Sequence, residues 1–297
     1  MQRADVNGIE LAWRSVGHVG DPVLLMIQGL SMPSVAWPES MVTGLADRGF
    51  RVITFDNRDA GQSSKLDHLG SPGAVTPVIR RLLGVPVSPP YTLSDMAGDA
   101  AGLLAELGIE TAHVVGVSMG GMIGQRMAIQ HAGRVSSLVS LSSSTGRRGS
   151  LFPSRRVALH MAKGSNLRGE KAKFDYHDTL WQLLSSPSYP MTDAERHGFI
   201  RRLLEHGMST AGALRQASAI LADTGRREEL RNVSIPSLVI HGDADAMLHV
   251  RGGRETAHAI PGAELKIVSG MGHDLPESLL PTLVDWIHSH AARAEHA

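Results

Sequence analysis

Along the chain, short and nearly continuous apolar runs alternate with longer stretches of helical spacing. The runs cover residues 23–27, 51–55, 113–117, 135–142, 235–240 and 264–268. Runs of this length without a polar face predict strands buried on both sides, as in a parallel sheet covered by helices. The stretch 8–14 alternates more and predicts an edge strand. Helices are predicted over 38–48, closed by Gly49; over 92–107, with Thr92 or Ser94 as N-cap and Gly108 as the stop; and over 119–131, 251–259 and 280–290. Strands alternating with helices predict an α/β fold, a doubly wound and mostly parallel sheet.

The rhythm is interrupted twice. Residues 65–91 are rich in Pro and Gly, carry one apolar patch at 78–87, and read as a surface excursion. From 145 to 231 the strand pattern disappears, and helical segments carry Phe152, Phe174, Tyr176, Trp181, Tyr189 and Phe199. This segment is expected to be a helical lid inserted into a core made of 1–144 and 232–297.

Composition narrows the classes of function. Lys plus Arg and Asp plus Glu number 29 each, so net charge gives no reason to expect nucleic acid as a partner. The lid segment holds 15 basic against 9 acidic residues. That excess would suit an anionic substrate or a membrane surface, yet solvated helix faces account for it equally well, and a membrane partner is not expected. No cysteine is present, which excludes a disulfide framework, a thiolate metal site and a cysteine nucleophile. The first residues are polar with no apolar leader, and no long apolar run occurs, so a cytoplasmic protein is expected.

The candidate chemistry centres on residues 113–122, where an apolar run ends in Gly116-Val117-Ser118-Met119-Gly120 and passes into a helix. A serine becomes an exposed nucleophile on a strained strand-to-helix turn, and such a turn leaves room only for glycine on its flanks. A serine that merely caps a helix is the bland alternative. The strand before and amphipathic helix after favour the elbow. The N–H of Met119 would then face developing negative charge. A second such donor is the N–H of Leu30, which follows Gly29 at the end of the run 23–27. Gly29 and Trp37 from the core, with Phe174 and Trp181 from the lid, are candidates to line a substrate pocket, although lid aromatics at helical spacing also serve simple packing.

A serine needs a general base, and the base needs a carboxylate to hold its tautomer. His273, in Gly270-Met271-Gly272-His273 just past the last strand, is the candidate base. The acid is Asp243 or Asp245, both in the loop after the run 235–240, with Asp245 favoured because it lies deeper in the loop. The turn after the run 135–142 offers no carboxylate. Asp56 and Asp59 read as turn and ion-pair residues that brace their loop. His241 and His249 lack a third ligand at suitable spacing, so no metal is expected, and no motif calls for a cofactor.

Taken together, Gln28-Gly29-Leu30, the segment 56–63, Gly116-Val117-Ser118-Met119-Gly120-Gly121, His241-Gly242-Asp243-Ala244-Asp245 and the segment 270–276 resemble the α/β-hydrolase fold family over essentially the whole chain. They look most like actinobacterial esterases and lipases of the aclacinomycin methylesterase type. Gln28 departs from the His-Gly of many hydrolases, but the donor there is backbone and Gly29 is kept. The resemblance implies a lidded carboxylic ester hydrolase and assigns Asp245 as the acid. Branches that use Asp as nucleophile are disfavoured by Ser118. The expected activity is hydrolysis of a small-molecule apolar ester through an acyl-enzyme. Rival readings are a methylesterase of a secondary metabolite, a perhydrolase or haloperoxidase-like enzyme with the same residues, a membrane-surface lipase, and a binding protein that keeps the fold without turnover.

Overall fold

The computed structural model describes residues 1–164 and 167–295. Its first half contains β1 (Gln2–Val6), β2 (Ile9–Val16), β3 (Val23–Ile27), α1 (Glu39–Ala46), β4 (Arg51–Phe55), α2 (Thr76–Leu83), α3 (Leu93–Glu106), β5 (Ala112–Val117), α4 (Met119–Gln130) and β6 (Val135–Leu141). Among the described residues, six α-helices follow: α5 (Arg148–Leu151), α6 (Arg155–Met161), α7 (Glu170–Leu184), α8 (Asp193–His206), α9 (Thr210–Ala222) and α10 (Arg227–Leu230). The chain then closes with β7 (Ser237–Gly242), α11 (Arg251–Ala259), β8 (Glu264–Val268) and α12 (Leu280–Ala294).

The eight strands form one sheet in the order β1-β2-β4-β3-β5-β6-β7-β8. The pairs β1–β2 and β2–β4 are antiparallel, and all others are parallel. Side chains alternate across the pleat, as strand geometry requires. Leu25, Ile27, Ile53, Phe55 and Val114 face one way, packing with Leu93, Met96, Ile123 and Met127 of α3 and α4. Leu24, Met26, Val52, Val115, Val139 and Ile240 face the other way, against Met41 and Leu45 of α1 and Leu283 and Ile287 of α12. The apolar runs of the sequence are continuous because both faces of the central strands are covered. Among the described residues, no helix is long and apolar enough to cross a membrane.

Three local readings need correction. The stretch 8–14, expected to be an edge strand, forms β2 and lies second in the sheet, with β1 outside it. The polar start of the chain is a strand: β1 pairs with β2 across Asn7-Gly8, both at positive φ (52° and 79°), the two-residue turn that matches strand twist. At the sheet edge only Ala4 and Val6 of β1 are buried, so its polar character reflects exposure rather than absence of structure. The excursion 65–91 contains a helix, α2, whose buried positions are Pro77 and Arg81. Of the two candidate caps for α3, Thr92 forms a reciprocal capping box with Asp95.

Chain order makes β3 and β5 the strands between which the direction of winding reverses, and ligands in open α/β sheets bind outside the carboxyl ends at such a point. Gly29 follows β3 and Ser118 follows β5, in register through Ile27 and Gly116. The segment between β6 and β7 is helical and sits over this edge. It is clasped by the loop after β4. His206 Nε2 lies 2.9 Å from Asp56 Oδ2, and Arg215 of α9 grips Asp59 through Nε at 2.8 Å and Nη2 at 2.7 Å. Gln216 donates to the Arg58 carbonyl and accepts from the Ser31 amide, both at 2.7 Å. Burial drives the Asp59 carboxyl up, but Arg215, the Leu66 amide and Tyr91 outweigh it and hold it below its ordinary value.

Arg215 and Asp59 side chains are 1% and 0% exposed, so removing the guanidinium strands a buried carboxylate. Arg215→Met is expected to cost about 3–5 kcal/mol, measured by urea unfolding. A loss near that of an exposed pair, under about 1 kcal/mol, would count against the clasp.

Candidate active site

The turn after β5 is shaped by what cannot fit there. A Cβ at Gly116 would sit 2.1 Å from the Gly120 carbonyl oxygen, and one at Gly120 would sit 1.9 Å from that of Ile27. With both flanks reduced to glycine, the first turn of α4 presses onto the ends of β3 and β5, and Ser118 is forced to φ 56°, ψ −118°. A non-glycine residue there costs of order 1–3 kcal/mol unless its surroundings over-determine it. They do: the Ser118 amide donates to Leu141 O at 2.9 Å, and its carbonyl accepts from Ser143 Oγ at 2.7 Å and from the Met122 amide at 3.2 Å.

His273 approaches from the loop after β8. Its Nε2 is 3.1 Å from Ser118 Oγ, and its Nδ1 is 2.7 Å from Asp245 Oδ2. Asp245 Oδ1 accepts from the amides of Met247 and Leu248, each at 2.8 Å. The other loop carboxylate has a different partner, because Asp243 Oδ1 accepts from the Gly270 amide at 2.6 Å. Ser118, His273 and Asp245 are therefore brought into one hydrogen-bonded chain, while Asp243 ties the two loops together. His241 is no isolated residue: its Nε2 is 2.8 Å from Leu248 O and 3.3 Å from Asp245 Oδ2. Burial pushes the Asp245 carboxyl up, yet the charge of His273 and hydrogen bonds from His241 and His273 prevail and hold it well below the carboxylate range.

One part of the site gave no sign in the sequence. The loop bearing His273 is held by the end of α7 and the residues that follow it: the His273 amide donates to Leu184 O at 2.8 Å, and the Gly272 amide donates to Ser186 Oγ at 2.7 Å. The Ser186 hydroxyl in turn donates to the Asp274 carboxylate, and the Ser186 amide reaches the same group at 3.2 Å. Serine and aspartate so far apart in the chain carry no local pattern, so only the fold pairs them.

The amide of Met119, first in α4, has no intrahelical acceptor. That of Leu30 has no protein acceptor among the described residues. A Cβ at Gly29 would lie 3.2 Å from the Ser118 Cβ, so glycine is what lets this strand end approach the serine. Gly29, Trp37, Phe174 and Trp181 all line one cavity of about 1920 Å³ that reaches Ser118 and His273 and runs between the sheet edge and the helical insert. Trp181 meets Phe199 edge-on at 4.8 Å along its wall.

The sequence pattern of the α/β hydrolase fold matches residues 22–278. The chain belongs to the α/β-hydrolase fold family. This α/β hydrolase is 27% identical to rhodomycin D methylesterase DauP of Streptomyces sp. strain C5, over 94% of each chain. It is 26% identical to a non-heme haloperoxidase of Rhodococcus erythropolis over 91% of each. Among solved structures, the esterase RhEst1 of Rhodococcus sp. ECU1013 superposes with a TM-score of 0.76 at 22% identity, covering 98% of this chain and 97% of the other; at that identity the likeness concerns the fold.

A carboxylate held below its unfolded value of 3.8 contributes stability that is fully present above that pH and is lost as pH falls through the folded value. Asp245→Asn is therefore expected to unfold at lower urea than the unaltered protein at neutral pH, with the gap narrowing below pH 3.8. Urea titrations across this range check the sign; a gap that widens on acidification would contradict it.

Proposed function

We propose that this α/β hydrolase is a serine carboxylic ester hydrolase working through an acyl-enzyme, with Ser118 as nucleophile, His273 as general base and Asp245 as its orienting acid. The observation that carries this reading is the hydrogen-bonded chain from Asp245 through His273 to Ser118 at the mouth of an apolar cavity. Ser118 Oγ gives its proton to His273 Nε2 as it attacks the ester carbonyl carbon, and the carbonyl electrons move onto oxygen beside the amides of Leu30 and Met119. Collapse expels the alcohol, which takes the proton from His273. Water, deprotonated by His273, then attacks the acyl-enzyme and releases the acid, restoring Ser118.

The segment 145–231 acts as the lid of this site, with Phe174 and Trp181 on its inner wall beside Gly29 and Trp37 of the core. A cavity of about 1920 Å³ exceeds the usual ligand site of roughly 300–1,000 Å³, which favours a bulky apolar ester. Likeness to rhodomycin D methylesterases supports a methyl ester as one such substrate. A second reading draws on the non-heme haloperoxidase relative: peroxide in place of water would release a peracid from the same acyl-enzyme.

Pre-steady-state assays across p-nitrophenyl esters from acetate to palmitate test both. The unaltered protein is expected to show a burst followed by turnover, and Ser118→Ala to lose the burst with kcat lowered about 10⁴-fold or more. Folded Ser118→Ala protein with full activity would end the proposal. Peracid formed when peroxide is added, and absent in the variant, would favour the second reading.

A further inference from the structure

Outside the catalytic cavity, a separate cleft of about 530 Å³ opens where α2, α5, α11 and the connection after α9 approach one another, lined by Arg81, Arg147, Arg148, Thr224, Arg251 and Glu255. Four guanidinium groups share it with one carboxylate. Glu255 is itself engaged, by Arg147 at 3.5 Å and by the Ser150 hydroxyl at 3.0 Å. The nearby Asp223 is taken up by Arg126 at 2.8 Å and Arg226 at 2.9 Å. Among the described residues, Arg81, Arg148 and Arg251 have no acidic partner within 4.0 Å.

Arg81 is the telling member. It lies on the buried side of α2, only 7% exposed. Its Nη2 donates to the Gly146 carbonyl at 2.7 Å, and its buried Nε has no partner among the described residues. Burial and the cationic Arg148 beside it both disfavour its charge, and Asp223 offsets them only in part. A desolvated guanidinium with one unmet donor among like charges is costly to hold, and an anion in the cleft offsets that cost through its charge.

We propose that this cleft is a binding site for a phosphoryl group. Arg148 Nη2 donates to the Leu82 carbonyl and Arg81 Nη2 to that of Gly146, which leaves the remaining guanidinium N–H groups, brought from α2, α5 and α11, to meet an anion; such a set suits a tetrahedral dianion better than a monovalent ion. The neutral hydroxyl of Thr224 adds a further donor at the wall. The site is distinct from the ester-binding cavity, though α5 separates the two: Arg148 and Gly149 face the cleft and Leu151 faces the cavity. The phosphoryl group comes either free in solution or on a lipid headgroup. The second source is relevant because the solvent side of α2 next to the cleft bears an apolar stripe, with Ile79, Leu82 and Leu83 at 49%, 50% and 73% exposed.

The test compares the unaltered protein with the double variant Arg148→Ser/Arg251→Ser, in which neither side chain reaches the catalytic residues. Retained p-nitrophenyl ester turnover shows that the variant is folded. Inorganic phosphate is titrated against sodium chloride at matched ionic strength, following the thermal midpoint and heat of binding. A saturable, phosphate-specific response weakened roughly tenfold or more in the variant supports the site and a soluble ligand. Should free phosphate give no response, co-sedimentation with phosphatidylcholine vesicles containing phosphatidic acid, absent with phosphatidylcholine alone and lost in the variant, supports the site with a lipid headgroup. Absence of both responses, or responses equal in the two proteins, overturns the proposal.

Discussion

Everything at the carboxyl edge of the sheet depends on how closely three stretches of backbone approach around Ser118. The ends of β3 and β5 and the first turn of α4 meet within distances that exclude a Cβ at Gly116 and Gly120 and nearly exclude one at Gly29. That packing forces Ser118 into a backbone conformation it would not adopt alone, and hydrogen bonds from β6 and α4 hold it there. The consequence is chemical. A side chain on this turn is lifted clear of its own backbone, beside the amides of Met119 and Leu30, which have no acceptor among the described residues, at the place where the winding of the sheet already opens a crevice.

The rest of the arrangement supplies this turn with partners that are themselves held by hydrogen bonds. Asp245 is fixed by two backbone amides and by His241 before it meets His273, so the imidazole is oriented from below by a carboxylate whose own position is determined. From above, the His273 loop is held by Leu184 and Ser186 at the end of α7. The helical insert thus does more than cover the cavity: it shapes the loop that carries the imidazole. Its own attachment rests on a buried ion pair, Arg215 with Asp59, and on a hydrogen bond between His206 and Asp56, both set in the loop after β4. Buried pairs of this kind add little net stability over an apolar replacement, but they tolerate no partial removal, which suits a contact that must set one relative position.

This division also explains the character of the two cavities. The large one is apolar because it lies between the insert and the sheet edge, where aromatic and aliphatic side chains of both meet. The small one is cationic because α2, α5 and α11 each bring arginine to a point where acidic side chains are already committed elsewhere. Neither follows from net charge, which is zero for the chain as a whole.

By itself the sequence determined the alternation of buried strands and helices, the elbow at Ser118, the candidate base His273 and the break in strand rhythm at 145–231, because each is written in a local period or in the spacing of glycines. It pointed to Asp245 over Asp243 by depth in the loop and by the family resemblance. The edge strand β1 escaped notice through its polar exposed face, although Asn7-Gly8 is a hairpin signal. Only the tertiary structure decided that Asp245 meets His273 while Asp243 binds the Gly270 amide, that Ser186 and Asp274 hold the imidazole loop, and that Arg81, Arg148 and Arg251 share a cleft. The physical reason is the same in each case. These contacts join residues far apart in the chain, and their energies come from close approach and desolvation, which no local pattern of residue types encodes.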